Sequence, residues 1–269
     1  MGADKMSLKK IAIIGIFVLL AGAAINIILN VTDTFVKKSD EIVIEETDFS
    51  KIEVLADNAA VELLPSKENK TMVSFSGKMK KKLNYHLSAD VNGDTLNVEL
   101  KEKGWQFIQI GFSSLNNKIT IQVPEKEYKE IKTEIDNGQI IIKNMQVTEV
   151  NLVSDNGRID LQDVASENVR VQTDNGKIAL NNVEGSINAE TDNGQISLIT
   201  NNLDRKITLE TNNGLISIQS GQEPTNATIL AKTDNGRISI FGKSAEQTTF
   251  GNGKNLINLT TDNGMITVK

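Results

Sequence analysis

The chain has 269 residues, a net charge of −6 at neutral pH and an isoelectric point of about 5.1, which argues against nucleic acid as its main partner. It has no cysteine and one histidine, His86, so disulfides, thiolate metal sites and multi-histidine metal sites are all excluded. Only 4% of the residues are aromatic, and the core must therefore be built from isoleucine, valine and leucine.

The N-terminal part contains a long apolar stretch. From Ile11 to Val31 there is no charged residue, and as a helix this stretch would span roughly 30 Å, the thickness of the hydrocarbon core of a bilayer. Lys5, Lys9 and Lys10 precede it, which by the positive-inside rule keeps residues 1–10 in the cytoplasm. We therefore predict a single-pass anchor in the cell membrane at 11–31, with the C-terminal domain extracytoplasmic.

A cleaved signal peptide is the competing interpretation of the same stretch. Ala21-Gly22-Ala23 fits a small-residue cleavage site. The apolar run nevertheless continues as far as Leu29, where a cleavable signal would have become polar. The anchor is therefore favoured, and residues 32–40 are predicted to form a short polar linker.

From Glu41 onward the apolar residues alternate with polar ones, which is typical of β-strands. Gly93-Asp94 marks a tight turn between two such segments. We predict that residues 41–130 form the N-terminal β coils and the cap of a repeat domain. The clearest strand segments are Ile42–Ile44, Ile52–Leu55, Met72–Phe75, Leu96–Leu100 and Ile119–Val123.

Residues 131–269 carry seven near-identical Asp/Asn-Asn-Gly turns. Successive turns begin 19, 19, 18, 20, 22 and 28 residues apart. Serine or threonine usually precedes the turn, and apolar residues come four and six positions after its first residue. A period near 20 is typical of a stacked repeat, in which each unit leans on its neighbours. The turns begin at Asp136, Asp155, Asp174, Asp192, Asn212, Asp234 and Asp262.

Two folds fit this pattern. Asn-Gly between alternating strands is a strong hairpin signal, and a meander of seven hairpins would place Asp155 opposite Arg158. Its fourteen-stranded sheet would need a second layer, for which no apolar segment remains. In a β-solenoid of about 19-residue coils, opposite walls cover each other instead, so this fold is favoured. Stacked asparagines would then form amide ladders, while stacked aspartates would repel by roughly 1 kcal/mol each.

No segment of the sequence marks a catalytic centre. There is no Ser-His-Asp set, phosphate loop or metal motif, and each aspartate of the repeat lacks a second carboxylate at calcium-ligand spacing. We therefore predict no catalytic, cofactor-binding or metal-binding residue. His86 is expected to lie on a strand, at the surface or packed. The basic run Lys78–Lys82 is expected in a solvated loop, with contact to anionic lipid or an anionic wall polymer as the alternative. Trp105–Phe112 is expected in the core or cap in preference to a sugar-binding platform.

Three segments together resemble a known family. Asp48–Val54, then Ile119–Pro124 with Tyr128, then the Asn-Gly-x-Ile-x-Leu repeats resemble the adhesin-like β-strand-repeat family. Its membrane-anchored members include the LiaG-like proteins of cell-envelope stress operons. The resemblance implies an all-β, right-handed parallel β-helix outside the membrane, preceded by one transmembrane helix. It carries over no catalytic residue.

These observations predict a non-enzymatic, membrane-anchored scaffold of the bacterial envelope, within the envelope stress response. Its partner would be a cell-envelope polymer or a membrane or envelope protein. The alternative is a β-helix enzyme that acts on cell-wall polysaccharide. Homo-oligomers through the solenoid end are a further expectation, because the chain stops at Val268-Lys269 directly after a strand. That edge would stay free unless Phe241–Lys254 folds over it.

Overall fold

The computed structural model describes residues 35–81, 84–103 and 114–269, in which all regular secondary structure is β-strand. Within these ranges no helix has the length and apolar character to cross a membrane. The predicted cytoplasmic segment 1–10 and anchor 11–31 lie outside the described residues. The strands are β1 (Phe35–Ile44), β2 (Lys51–Ser66), β3 (Thr71–Lys80), β4 (Asn84–Asn92), β5 (Thr95–Lys103), β6 (Ser114–Pro124), β7 (Glu127–Lys143), β8 (Gln146–Val183), β9 (Ser186–Thr200), β10 (Ile207–Ser220), β11 (Ala227–Ile240), β12 (Gln247–Thr249) and β13 (Asn255–Val268).

The repeat strands pair in parallel and in register. β7 pairs with β8, β8 with β9 and β9 with β10, and each pairing places asparagine beside asparagine at the corner. Each Asp-Asn-Gly corner lies inside a continuous strand and does not join two antiparallel ones, so Asp155 and Arg158 do not face each other across a hairpin. The described part of the chain is therefore all-β and solenoid-like, as predicted. The right hand of the predicted helix stays a prediction.

A single apolar cluster fills the interior. Isoleucine, leucine and valine on both sides of every corner point inward, and Val171, Ile178 and Leu180 of one coil are each no more than 1% exposed. Burying one such side chain typically contributes about 1.5–3 kcal/mol. Because the same positions are apolar in each coil, every coil covers its neighbours, and the described chain needs no second layer of structure.

The N-terminal part, predicted over 41–130 as β coils and a cap, consists mostly of antiparallel pairs. β1 with β3, β3 with β6, and β4 with β5 are antiparallel pairs. Only β2 forms a coil against the repeat, parallel to β7 on one side and to β5 and β6 on the other. Residues 35–40 of the predicted linker belong to β1, and the predicted boundary at 130/131 falls inside β7. The first part of the domain is thus mainly an antiparallel cap.

The β4–β5 hairpin is tied to β2 through the turn at Gly93-Asp94. The Asp94 carboxylate accepts hydrogen bonds from Ser50 Oγ at 2.6 Å, from Ser50 N at 2.8 Å and from Lys129 Nζ at 3.1 Å. These bonds, that of the Ser50 hydroxyl first, lower the pKa of Asp94 to about 2. The hairpin is therefore held on the stack by a charge-assisted contact as well as by its apolar face.

The C-terminal strand is not the last strand of the sheet. The order there is β9-β10-β13-β11-β12, so β13 lies between β10 and β11 and is parallel to both. The predicted free edge at Val268-Lys269 is therefore wrong. Part of Phe241–Lys254 does fold over the end, since β12 pairs antiparallel with Thr228–Leu230 of β11. β13 fits the inner position because its corner and inward residues follow the same pattern as those of both neighbours.

Candidate functional surface

The corners form one exposed row of asparagines along the stack. Each side-chain Nδ2 donates to the Oδ1 of the next asparagine toward β2, at 3.0–3.1 Å. The predicted amide ladder is thereby confirmed, and its hydrogen bonds all run in one direction. In spatial order the row, which we call the asparagine ladder, consists of Asn58, Asn137, Asn156, Asn175, Asn193, Asn213, Asn263 and Asn235.

Asn58 is a rung that the repeat pattern does not reveal. Its corner reads Asp57-Asn58-Ala59 and lacks the glycine. In the seven other corners a Cβ on the glycine would lie only 1.6–2.0 Å from the backbone oxygen of the preceding corner in the stack. Ala59 belongs to the first corner of the stack. No corner precedes it there, so its Cβ does not meet the backbone oxygen of a preceding corner. The Asp-Asn pair was the signal that could have identified this rung.

The aspartates form a second column beside the asparagine ladder. Burial, followed by repulsion from Asp57 and Asp155, raises the pKa of Asp136. The repulsion expected from the sequence is thus present at this corner. Asn212 interrupts the column, and its Nδ2 donates to Asp192 Oδ1 at 3.2 Å. No group of three or more His, Asp or Glu side chains suited to a metal ion occurs among the described residues.

Inside the corners lies a row of buried hydroxyl groups. Each comes from the serine or threonine that precedes the turn, and none has a hydrogen-bond partner among the described protein atoms. The row therefore belongs to the interior and not to the exposed surface. Its members are Ser154, Thr173, Thr191, Thr211, Thr261 and Thr233.

The wall before the corners carries an open depression of about 310 Å³. It spans four neighbouring coils, and its lining is dominated by amide and charged side chains. Such a surface offers hydrogen-bond donors and acceptors at the spacing of adjacent strands, about 4.8 Å. We call it the first-wall depression, and its polar lining consists of Glu130, Glu149, Asn151, Asn168, Arg170, Ser186 and Asn188.

The wall after the corners carries a second depression of about 330 Å³. Here Asp160 accepts from Arg158 Nε and from Gln139 Nε2, both at 2.6 Å. Nearer the cap, Glu62 forms ion pairs with Lys118 at 2.6 Å and Lys143 at 2.9 Å, and these bonds lower its pKa. The second wall is therefore an ordered array of paired charges, and the sequence pattern did not identify the pairs of Glu62 because their partners lie on other strands.

The residues that the sequence singled out do not converge. His86 is exposed on β4, and Lys78 lies on β3 rather than in a loop. The segment Trp105–Phe112 lies outside the described residues. Neither depression gathers a nucleophile, a base and an oxyanion donor among its described lining residues.

A family comparison identifies the domain. The profile described as Toastrack DUF4097 matches residues 49–269, which is most of the chain. The chain belongs to the Toastrack DUF4097 family. This confirms the resemblance found in the sequence, and the matched region begins at Phe49, directly before the first coil. Toastrack is a domain of unknown function, and family membership fixes the type of fold and not an activity.

Several solved structures are similar to this Toastrack chain over most of their length. A proposed adhesin from Bacteroides fragilis is 15% identical, covers 86% of this chain and 96% of its own, and gives a TM-score of 0.45. A proposed cell adhesion protein from Clostridium sporogenes is 14% identical, covers 87% and 99%, and gives 0.42. A proposed lipid binding protein from Parabacteroides distasonis is 14% identical, covers 87% and 97%, and gives 0.35. No curated protein matches the chain significantly.

Proposed function

We propose that this Toastrack chain is a non-enzymatic, adhesin-like scaffold of the bacterial envelope. A helix at 11–31 would anchor the protein in the membrane. The domain, a right-handed β-helix, would lie outside the membrane. It would act in the envelope stress response. The uncharged 21-residue run and the lysines before it support the anchor. The partner would be a cell-envelope polymer or an envelope protein.

The observation that carries this proposal is the regular polar surface on both sides of the asparagine ladder. An extended ligand can contact equivalent positions in successive coils, because in-register stacking repeats each position at about 4.8 Å. The described surface is charged and amide-rich, which suits a polar polymer with many weak contacts better than a small apolar ligand.

Co-sedimentation with isolated insoluble cell wall tests the proposal. We expect the full chain to sediment with the wall, and Arg170→Ala in the first-wall depression to weaken binding about three- to tenfold. Arg237→Ala is the matched control, since Arg237 is also exposed but lies on β11, away from this depression. Its binding should be unchanged.

Two results would contradict the proposal. One is equal sedimentation of protein with and without wall material, together with no capture of an envelope protein. The other is release of soluble sugar products during the incubation, which would favour the polysaccharide-acting enzyme instead.

A further inference from the structure

The position of β13 between two strands that precede it in sequence has a consequence for assembly. β13 contributes Ile257, Leu259, Ile266 and Val268 to the core, all fully buried. Its Asn263 donates to Asn213 and accepts from Asn235, so β13 also supplies one rung of the asparagine ladder. Removing this strand opens a gap with apolar residues and unpaired backbone groups on both sides.

The two strands that border this gap match each other. Through β13, Thr211 is aligned with Thr233, and Asn213 with Asn235. The inward residues of β10 and β11 are aligned in the same way, for example Ile216 with Ile238. β10 and β11 therefore present matching edges to the two sides of β13.

The connection to β13 is short. Five residues, 250–254, separate β12 from β13, and its positive φ angles, 57° and 69°, fall at Gly251 and Gly253, where glycine adopts them readily. Phe241, directly after β11, has φ of 47°, which is unfavourable for an aromatic residue. Short hinge connections favour exchange of the following element between copies.

From these observations we propose that the gap between β10 and β11 is a strand-binding site that also accepts β13 from a second copy of this chain. In the resulting strand-exchanged dimer each β13 makes the same contacts as in the monomer, since both copies carry the same residues. This inference goes beyond the proposed function and does not depend on it. It also differs from stacking through the solenoid end, because the exchanged strand lies inside the sheet.

Disulfide trapping tests the proposal on the full chain, which has no native cysteine. Leu215 on β10 and Met265 on β13 are register partners and are 45% and 42% exposed. Leu215→Cys and Met265→Cys are introduced into separate chains, which are mixed, unfolded in urea, refolded together at high concentration and oxidised. We expect at least five times more covalent dimer than either variant gives alone.

The matched control mixes Leu215→Cys with Arg237→Cys. In the exchanged dimer β10 and β11 of each half come from the same copy, so the two introduced cysteines, which are on different copies, do not lie side by side. Within one copy the two positions are two strand spacings apart, about 9.6 Å, which is also beyond disulfide range. Equal dimer yields from the two mixtures would overturn the proposal. A single chain carrying Leu215→Cys and Met265→Cys must form an internal disulfide, and its failure to do so would also overturn the proposal, because β13 would then not lie beside β10.

Discussion

At the scale of single residues, the corner glycines are required by close approach of neighbouring coils. Gly176 shows this most clearly, because a Cβ there would lie 1.6 Å from the carbonyl oxygen of Gly157. That oxygen belongs to backbone held in a sheet, so it cannot move away without breaking the pairing of two coils. The occurrence of Ala59 at the first corner is consistent with this explanation.

Gly176→Ala should therefore lower the free energy of unfolding by about 3 kcal/mol, the upper part of the range for overpacked positions. Gly93→Ala is the comparison, since Gly93 has φ of 61° but no atom within 4 Å of the added Cβ. Its cost should be about 1 kcal/mol, from the backbone conformation alone. Urea unfolding of both variants measures the difference, and equal losses would show that close approach is not the reason for glycine.

At the scale of elements, the β4–β5 hairpin depends on Asp94 for its attachment to β2. The pKa of Asp94 is lowered in the folded protein to about 2, below its ordinary value near 3.9 in an unfolded chain. Its contribution to stability is therefore complete above pH 4 and is lost as the pH falls toward 2. The negative charge of the Asp94 carboxylate, and not only its ability to accept hydrogen bonds, is therefore responsible for this contribution to stability.

Asp94→Asn should lower the urea midpoint at pH 7, and the difference from the wild type should shrink between pH 4 and pH 2. Unfolding curves at pH 7, 4 and 2.5 provide the measurement. Asp90→Asn is a control on the same hairpin, because Asp90 is exposed on β4. A difference for Asp94→Asn that stays constant over the whole pH range would argue against the charge-assisted contact.

The identity of the elements could be predicted from the sequence, but their order in the sheet could not. The alternation of apolar residues identified the strands, and the corner pattern identified parallel stacking. The pattern is the same in β10, β11 and β13, however, so it cannot specify which of them are neighbours. The longer spacings of 22 and 28 residues before the last two corners were the only local sign of the insertion. A cap was predicted, but its antiparallel pairing was not, because alternation alone does not give strand direction.

At the scale of the whole molecule, the asparagine ladder adds side-chain hydrogen bonds to the backbone pairing that joins neighbouring coils. Asn175 donates to Asn156 and accepts from Asn193, both at 3.0 Å. Asn175→Ala should thus remove two hydrogen bonds and lower the free energy of unfolding by about 1 kcal/mol. Asn181→Ala, at an exposed site in the same coil whose side chain makes no hydrogen bond among the described residues, should change it by less than about 0.5 kcal/mol.

Chemical denaturation of the two variants at the same pH checks this expectation. The walls could be anticipated from the sequence only in their polar character, since Glu62 pairs with lysines of other strands and Asp160 also accepts a hydrogen bond from Gln139 of the neighbouring coil. If Asn175→Ala and Asn181→Ala lose the same stability, the ladder contributes nothing beyond ordinary surface asparagines.

The single direction of the ladder also gives the stack an electrical polarity. Every amide points its N–H toward β2, so the small side-chain dipoles add along the row as peptide dipoles add along a helix. The Asn58 end carries the partial positive charge and the Asn235 end the partial negative charge. A cationic group is therefore favoured at the β11 end and an anionic group at the cap end, which distinguishes the two ends of an otherwise repetitive rod.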